Sequence, residues 1–285
     1  MYTGGVKMGY EKRQICFDKE LNIEAYWFYG IMQKFPNHFH EYYVIGFVED
    51  GQRSLYCKNK NYIINPGDLV VLNPFDSHTC TQINNEALDW RCINIKKDII
   101  RKVTGELYNK EYLPLFSKTV LSDTGILALL KELHTMIIFG TGNSETRKEK
   151  FYEIIKKLSD KYAEQSLEKE AGTAEEISHL CRYMKDNYRQ KLSLDELSEV
   201  TGQNKFTLLR NFNKVCGLTP YQYLETIRIE KGRTYLEKGY TPAEAALNTG
   251  FSDQSHFTRF FKSFIGFTPK QYQKLFIENI EQEKK

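Results

Sequence analysis

Two stretches near the C-terminal end of the sequence carry polar side chains that can pair with bases and phosphates. In residues 249–272, TGFSDQSHFTRFFKSFIGFTPKQY, phenylalanines at helical spacing predict a buried helix face. The opposite face holds amide, hydroxyl and cationic groups, which can hydrogen bond to base edges or neutralise phosphates. These outward residues are Gln254, Ser255, Arg259 and Lys262.

A second copy of this pattern lies earlier, in residues 201–224, TGQNKFTLLRNFNKVCGLTPYQYL. Its predicted core residues are Leu208, Phe212 and Val215, and those of the later copy are Phe257, Phe261 and Phe264. The outward residues of the earlier copy are Phe206, Leu209, Arg210 and Asn213. A polar face on a single helix is also typical of a merely solvated surface. Two copies that place an arginine at the same position favour nucleic-acid recognition.

Each copy predicts a short helix, a glycine turn and a longer second helix. Gly202 and Gly250 suit the left-handed conformation that ends a helix. Asn204 and Ser252 are the predicted N-caps of the second helices. This order of elements is the helix-turn-helix layout.

The region from about 174 to 278 resembles the double helix-turn-helix domain of AraC/XylS-type transcription regulators, most specifically over residues 250–269. The earlier copy departs from that family at Gln203 and Asn204, where an apolar residue and serine are usual. The resemblance implies a connecting helix over residues 220–238, about 28 Å long at 1.5 Å per residue. Two recognition helices held that far apart would enter adjacent major grooves.

Residues 14–96 predict short strands separated by turn signals such as EDGQ and NPGD. The stretch 20–96, with HFHEYYVIGFVEDG and PGDLVVLNPFDSH, resembles the cupin-like effector domain that often accompanies these regulators. We predict that its ligand-binding residues are His38, His40, Tyr42, His78 and Trp90. Trp90 is interpreted either as a stacking surface for a sugar or as a core residue.

The three histidines leave three interpretations open: ligand-pocket residues, metal ligands, or hydrogen-bonded core residues. Metal-binding cupins usually add a carboxylate on the same face, but Glu41 points to the other face. Cys80 would be a soft substitute ligand. We favour a polar effector and predict no metal, no cofactor and no catalytic residues.

Composition and charge are those of an ordinary globular protein. The net charge is +3, and the basic excess lies in residues 171–285, where 17 basic residues accompany 14 acidic ones. The six cysteines include no CxxC pair and are interpreted as buried thiols in a reducing compartment. The N-terminus lacks the apolar segment of a secretory signal, and no long apolar run occurs, so we expect a cytoplasmic protein without membrane contact.

The sequence predicts an α+β fold: an N-terminal cupin-like β-barrel followed by helices, and an all-α C-terminal domain with two helix-turn-helix motifs. The predicted parts are an effector-binding barrel (1–97), a helical extension (98–167), a linker (168–174) and the DNA-binding domain (175–285). The apolar stripes of the helices predicted near 123–139 and 145–165 suit either a dimer contact or packing against the barrel.

These observations predict a ligand-responsive regulator that binds double-stranded DNA and senses a small polar metabolite, a sugar or similar. The expected partners are the effector, RNA polymerase and a second copy of the chain. An alternative is a metal-dependent cupin enzyme with a secondary DNA-binding domain, which a metal assay on the pure protein would distinguish.

Overall fold

The computed structural model describes residues 10–164 and 173–283. The strands are β1 (Lys12–Asp18), β2 (Ile23–Ile31), β3 (Phe35–His38), β4 (Tyr43–Asp50), β5 (Arg53–Cys57), β6 (Lys60–Ile64), β7 (Leu69–Leu72), β8 (His78–Gln82), β9 (Leu88–Ile95), β10 (Leu115–Phe116), β11 (Val120–Leu121) and β12 (Ala163–Glu164). The helices are α1 (Lys97–Tyr108), α2 (Thr124–Phe139), α3 (Ser144–Tyr162), α4 (Thr173–Asp186), α5 (Leu194–Thr201), α6 (Lys205–Cys216), α7 (Pro220–Glu237), α8 (Pro242–Asn248), α9 (Gln254–Ile265) and α10 (Pro269–Glu283). A strand-rich N-terminal part thus precedes a helical C-terminal part, and the predicted fold class is confirmed.

The described strands form a larger sheet in the order β1-β2-β9-β4-β7-β11, a four-stranded sheet in the order β3-β8-β5-β6, and the separate pair β10-β12. In the larger sheet β9 lies between β2 and β4, so that Tyr26 and Gly46 are both paired with Cys92. Successive residues of a strand point to opposite faces of a sheet. Ile93 accordingly belongs to a hydrophobic core, while Cys92 points the other way and contacts the side chain of Asn94.

Helices α2 and α3 cover one face of the larger sheet. Their buried residues Leu130, Leu133, Ile154 and Leu158 belong to the same core as Ile93. Fully burying a side chain of this size contributes about 1.5–3 kcal/mol relative to leaving it exposed. The apolar stripes that suited either a dimer contact or packing against the strands therefore pack within this part of the chain.

The starts of both helices are held by polar contacts. Asp123 accepts a hydrogen bond from the backbone N–H of Ile126 and thereby caps the start of α2. Asn143 caps α3 in the same way. The Arg147 Nε atom lies 2.7 Å from a carboxylate oxygen of Asp18, and this ion pair joins α3 to β1.

The chain divides into two compact units. Within the described residues, the first comprises 10–34, 40–76 and 80–164, and the second comprises 173–283 with the short segments 35–39 and 77–79. The predicted linker at 168–174 falls mostly outside the described residues, and the predicted domain boundaries stay predictions. Among the helices described, none combines the length and hydropathy needed to cross a membrane.

The second unit has a core to which the first helix-turn-helix motif contributes. Leu208 and Phe212 of α6 pack there with Leu224 and Ile227 of α7. In the second motif the Phe261 ring of α9 lies 5.4 Å from the Phe257 ring and 5.6 Å from that of Tyr272 on α10, measured between centroids. Aromatic residues thus hold α9 against its neighbours, as the phenylalanine spacing predicts.

Two glycines occupy equivalent turns of the two motifs but differ in their surroundings. Gly202 has φ +65° and Gly250 has φ +78°, a region that residues with a Cβ atom rarely adopt. A Cβ atom on Gly250 would lie 2.6 Å from the carbonyl oxygen of Arg189, whereas one on Gly202 would meet no atom within 4 Å. Both turns therefore favour glycine because of the left-handed conformation. The second turn also requires it because a Cβ atom would collide with the backbone of Arg189.

We expect Gly250→Ala to destabilise the protein more than Gly202→Ala does. The left-handed conformation alone costs an alanine about 1 kcal/mol, the loss expected at Gly202. At Gly250 the backbone of Arg189 must also move, so the free energy of unfolding from urea titration should fall by at least about twice that amount. Equal losses in the two variants would contradict the close approach.

Candidate DNA interface and ligand site

The two helix-turn-helix motifs are formed by α5 with α6 and by α8 with α9. In the first motif Gly202 ends α5, and the side chain of Asn204 accepts a hydrogen bond from the Thr207 N–H at the start of α6. In the second motif the N-cap is Asp253, whose carboxylate accepts a hydrogen bond from the His256 N–H. The prediction of Ser252 as this cap was wrong, because its hydroxyl donates to the Asp253 carboxylate at 3.0 Å instead.

The outward faces of α6 and α9 carry the side chains that the sequence analysis assigned to DNA. Phe206 is 88% exposed, an unusual position for a large aromatic ring. The remaining members are exposed as well, apart from the half-buried Leu209: they are Arg210, Asn213, Gln254, Ser255, Arg259 and Lys262. The structure thus gathers the assigned residues on the accessible surfaces of the two second helices.

One residue predicted for the core of the first motif lies outside it. Val215 is 43% exposed. It sits in the last turn of α6, one residue before the helix ends at Cys216. The chain then turns at Gly217, and Leu218 is fully buried in the core instead.

Helix α7 connects the motifs and is fixed by arginine side chains. It spans Pro220–Glu237, so its 18 residues are about 27 Å long at 1.5 Å per residue. The Arg228 guanidinium donates to the carbonyl of Tyr188 at 2.8 Å and to that of Gln190 at 2.9 Å, both in the loop after α4. The length of α7 is close to the roughly 34 Å between successive major grooves on one face of a duplex.

Glu225 is a buried carboxylate on α7. It is 5% exposed, and its Oε1 atom has no hydrogen-bond partner within the part of the chain that the structure describes. Burial raises the pKa of Glu225 to about 7, while a hydrogen bond to Tyr221 and the charges of Arg228 and Arg259 act in the opposite direction. This carboxyl group is therefore partly protonated at neutral pH.

A cluster of buried polar side chains lies on the face of the larger sheet opposite the hydrophobic core. Glu24, 3% exposed, accepts hydrogen bonds from the Tyr26 hydroxyl at 3.0 Å and from the Asn94 amide at 3.4 Å. We call Glu24, Tyr26 and Asn94 the polar cluster. Buried polar groups of this kind are costly unless they are hydrogen bonded, and they fix the orientation of ligands in binding sites.

The predicted ligand residues Trp90, His40 and Tyr42 also belong to the first unit. Trp90 is paired with Phe28 of β2 and Val48 of β4, and its half-buried indole lies across β4 at Gly46. A Cβ atom on that glycine would lie 2.3 Å from the indole ring. The imidazole of His40 stacks on the ring of Tyr42, with centroids 4.6 Å apart.

His38 and His78 belong to the segments of the second unit. Both are buried, and the centroids of their rings lie 4.4 Å apart. The Nδ1 atom of His38 lies 2.7 Å from the carbonyl oxygen of Pro36. Because a carbonyl oxygen only accepts hydrogen bonds, His38 carries its proton on Nδ1. The same ring lies 5.2 Å from that of Phe264 on α9, between centroids.

His38 and His78, both in the second unit, each offer imidazole nitrogens that could bind a metal. Imidazole is a common ligand of zinc and iron. Cys80, suggested as a substitute ligand, belongs to the first unit, and burial raises the pKa of its thiol to about 11.

Comparisons with known proteins identify two domain families in the chain. Residues 20–155 match the family of AraC-like ligand-binding domains, and residues 197–275 match a family of helix-turn-helix domains. The uncharacterized HTH-type transcriptional regulator YbfI of Bacillus subtilis (strain 168) is 46% identical over 248 residues, which cover 86% of this chain and 90% of the relative. The chain belongs to the AraC family of transcription regulators.

Two more distant similarities extend over most of the chain. The HTH-type transcriptional activator RhaS of Escherichia fergusonii is 23% identical over 245 residues, which cover 83% of this chain and 87% of the relative. A crystal structure of an apo ToxT variant from Vibrio cholerae strain SCE256 has a TM-score of 0.56 at 15% identity, and covers 91% of this chain and 99% of that one. The latter likeness shows a common fold.

This AraC-family regulator is therefore ligand-responsive, with a ligand-binding domain and a DNA-binding domain. Glu24 and Tyr26 of the polar cluster were not predicted from the sequence. Trp90, Cys92 and Asn94 alternate along β9 and therefore share one face of the sheet. Pairing β9 with β2 would have drawn attention to Glu24, which lies directly opposite Asn94.

We expect Glu225→Gln to stabilise the regulator at pH 8 but not at pH 4. Because burial raises the pKa of Glu225 from 4.5 to about 7, the folded protein retains a proton that the unfolded chain releases between these values. Stability falls as the pH rises through this window, and the neutral glutamine should recover about 1–3 kcal/mol above it.

Urea unfolding at both pH values provides the measurement. Glu199→Gln, at an exposed position of α5, is the matched control and should show no such gain. A stability difference between Glu225→Gln and the parent that stays constant with pH would show that the carboxyl is not the titrating group.

Proposed function

We propose that this regulator binds a small polar metabolite, a sugar or similar, in its ligand-binding domain (residues 20–155) and reads DNA with α6 and α9. The polar cluster is the observation that carries the effector proposal. Hydroxyl groups of a ligand can both donate to Glu24 and accept from Asn94, as the buried side chains now do for each other. Trp90 offers an aromatic face for the apolar side of a sugar ring.

The proposed ligand residues remain His38, His40, Tyr42, His78 and Trp90, with the polar cluster added. The imidazole of His40 and the phenol of Tyr42 supply hydrogen-bonding groups at the start of β4. Sites of this type combine aromatic surface with a few oriented polar groups. The YbfI relative supports the regulator class and leaves the effector open.

On the DNA side we propose different roles for exposed residues of the two recognition helices. The amide of Gln254 suits the paired donor and acceptor of adenine, and the guanidinium groups of Arg210 and Arg259 suit guanine or phosphate. Phe206 suits apolar contact with a thymine methyl group. Lys262, two turns after Gln254, suits a phosphate.

We further propose that the chain itself couples the two sites. Phe39 belongs to the second unit and the next residue, His40, to the first. The Phe39 ring lies 5.0 Å from that of Tyr223 on α7, between centroids. Ligand binding at His40 would change the position of Phe39 and His38, and thereby the packing of α7 and α9. A change of this kind would couple the two sites, so that effector binding alters the affinity for DNA.

We propose that the regulator acts in the cytoplasm as a homodimer, contacts RNA polymerase at promoters, and has no enzymatic activity of its own. The alternative, a metal-dependent cupin enzyme, is favoured only by the presence of His38, His40 and His78 in the sequence. Stoichiometric iron, manganese or zinc in the purified protein would support that alternative.

We expect His40→Ala to abolish stabilisation by the effector while leaving DNA affinity of the effector-free protein unchanged. The test is a thermal-shift screen with monosaccharides and amino acids, since a ligand at 100-fold its dissociation constant adds about 2.7 kcal/mol. His179→Ala, at an exposed position of α4, is the control and should keep the full shift. A normal shift in His40→Ala would place the effector elsewhere.

We expect Gln254→Ala and Lys262→Ala to weaken DNA binding in different ways. Loss of the amide should relax discrimination at one base position, by about 1–3 kcal/mol, because a base contact is lost. Loss of the ammonium should weaken binding to all sequences alike and lower the salt slope by about one. The measurement is the affinity of each variant for operators with single-base changes, at several salt concentrations. A uniform loss of affinity from Gln254→Ala would contradict the assignment of Gln254 to a base contact.

A further inference from the structure

Two cysteines lie side by side where α4 packs against α6 of the first helix-turn-helix motif. Cys181 is in α4 and Cys216 is the last residue of α6, and their Sγ atoms are 3.6 Å apart. Both side chains are partly exposed, so an oxidant of small size has access to them. The thiols of Cys57 and Cys92, in contrast, are buried, and burial raises their pKa values to about 11 and 12.

We propose that Cys181 and Cys216 are a modification site: hydroperoxides oxidise them to a disulfide that weakens DNA binding by the first motif. The effect on DNA rests on the proposed function, whereas disulfide formation itself does not. Formation of such a bond requires neighbouring thiols and an accessible path, and both are present here.

The chemistry balances with a hydroperoxide as the oxidant. The thiolate of one cysteine attacks the terminal peroxide oxygen, which gives a sulfenic acid and releases water or an alcohol. The thiol of the other cysteine then attacks the sulfenic sulfur and releases water, forming the S–S bond. The two sulfur atoms together lose two electrons and two protons, and the peroxide O–O bond accepts them.

The position of Cys216 explains why the bond would affect DNA recognition. A disulfide is about 2.0 Å long, so the two sulfur atoms must approach by about 1.5 Å. Ile177, Leu180 and Met184 hold α4 in the core of the unit and are fully buried. Cys216, in contrast, precedes a left-handed turn at Gly217. Much of the movement therefore falls on the last turn of α6.

Movement of α6 changes the position of the outward side chains on the same helix. Arg210 and Asn213 lie within two turns of Cys216. Both are exposed on the proposed recognition surface. The second motif, on α8 and α9, carries neither thiol and keeps its contacts. Oxidation should therefore lower specific affinity without abolishing binding to DNA.

The test uses the full chain, reduced and then treated with hydrogen peroxide under native conditions. Mass spectrometry of a non-reduced digest should show a Cys181–Cys216 crosslinked peptide that lacks two hydrogen atoms. Affinity for the operator should fall about tenfold, the loss that accompanies one disrupted base contact, and dithiothreitol should restore it.

Serine variants provide the controls. Cys181→Ser and Cys216→Ser should each remove both the crosslink and the peroxide response, while Cys16→Ser, a partly exposed thiol of the first unit, should keep both. Alanine variants at the same positions serve if the serine variants unfold. Absence of the crosslink in the treated native protein overturns the proposal, as does a crosslink with unchanged operator affinity. If the reduced protein did not bind its operator more tightly than other DNA, the proposed DNA function would be wrong. The mass-spectrometric test for the disulfide would still be valid in that case.

Discussion

The buried face of α7 is the constraint on which the DNA-binding unit depends. Arg233 is buried there, with its guanidinium 3.2 Å from a carboxylate oxygen of Glu230 and within hydrogen-bonding distance of the Tyr272 hydroxyl. A buried charge is tolerated only when it is paired and hydrogen bonded, so this arrangement fixes the rotation of α7 about its axis. Arg228 fixes the same helix to the loop after α4. The separation of the two motifs follows from these contacts.

The two motifs share a pattern of residues but differ in the surroundings of their turns and in their N-caps. The first turn is open around Gly202, whereas the second is closed against the backbone of Arg189. The N-caps differ as well, with the amide of Asn204 in one motif and the carboxylate of Asp253 in the other. A carboxylate is the stronger acceptor and interacts favourably with the positive end of the helix dipole. The second recognition helix, which carries the more polar surface, thus has the more strongly determined start.

In the first unit one strand serves two purposes because its side chains alternate. Ile93 and Ile95 of β9 pack in the hydrophobic core under α2 and α3, while Asn94 between them joins the polar cluster. The core holds the sheet in place, and the opposite face can therefore keep polar groups at defined positions. The cost of burying Glu24 is offset by its hydrogen bonds. This division keeps the polar cluster and the hydrophobic core on opposite faces of one sheet.

The features that depend on local periodicity could be predicted from the amino-acid sequence. The internal repeat, the helices, the strand-rich region and the exposure of Arg210 and Arg259 all follow from apolar residues at helical or alternating spacing, which bury the same face wherever the element packs. The N-cap at Asp123 follows from local chemistry in the same way. Only the tertiary structure decided which distant groups meet. Glu24 and Asn94 are 70 residues apart, and Cys181 and Cys216 are 35 residues apart. The exposure of Val215 likewise depends on where α6 ends relative to its neighbours. Strand register and helix packing determine these contacts. Both are properties of the whole fold and cannot be deduced from a local stretch of sequence.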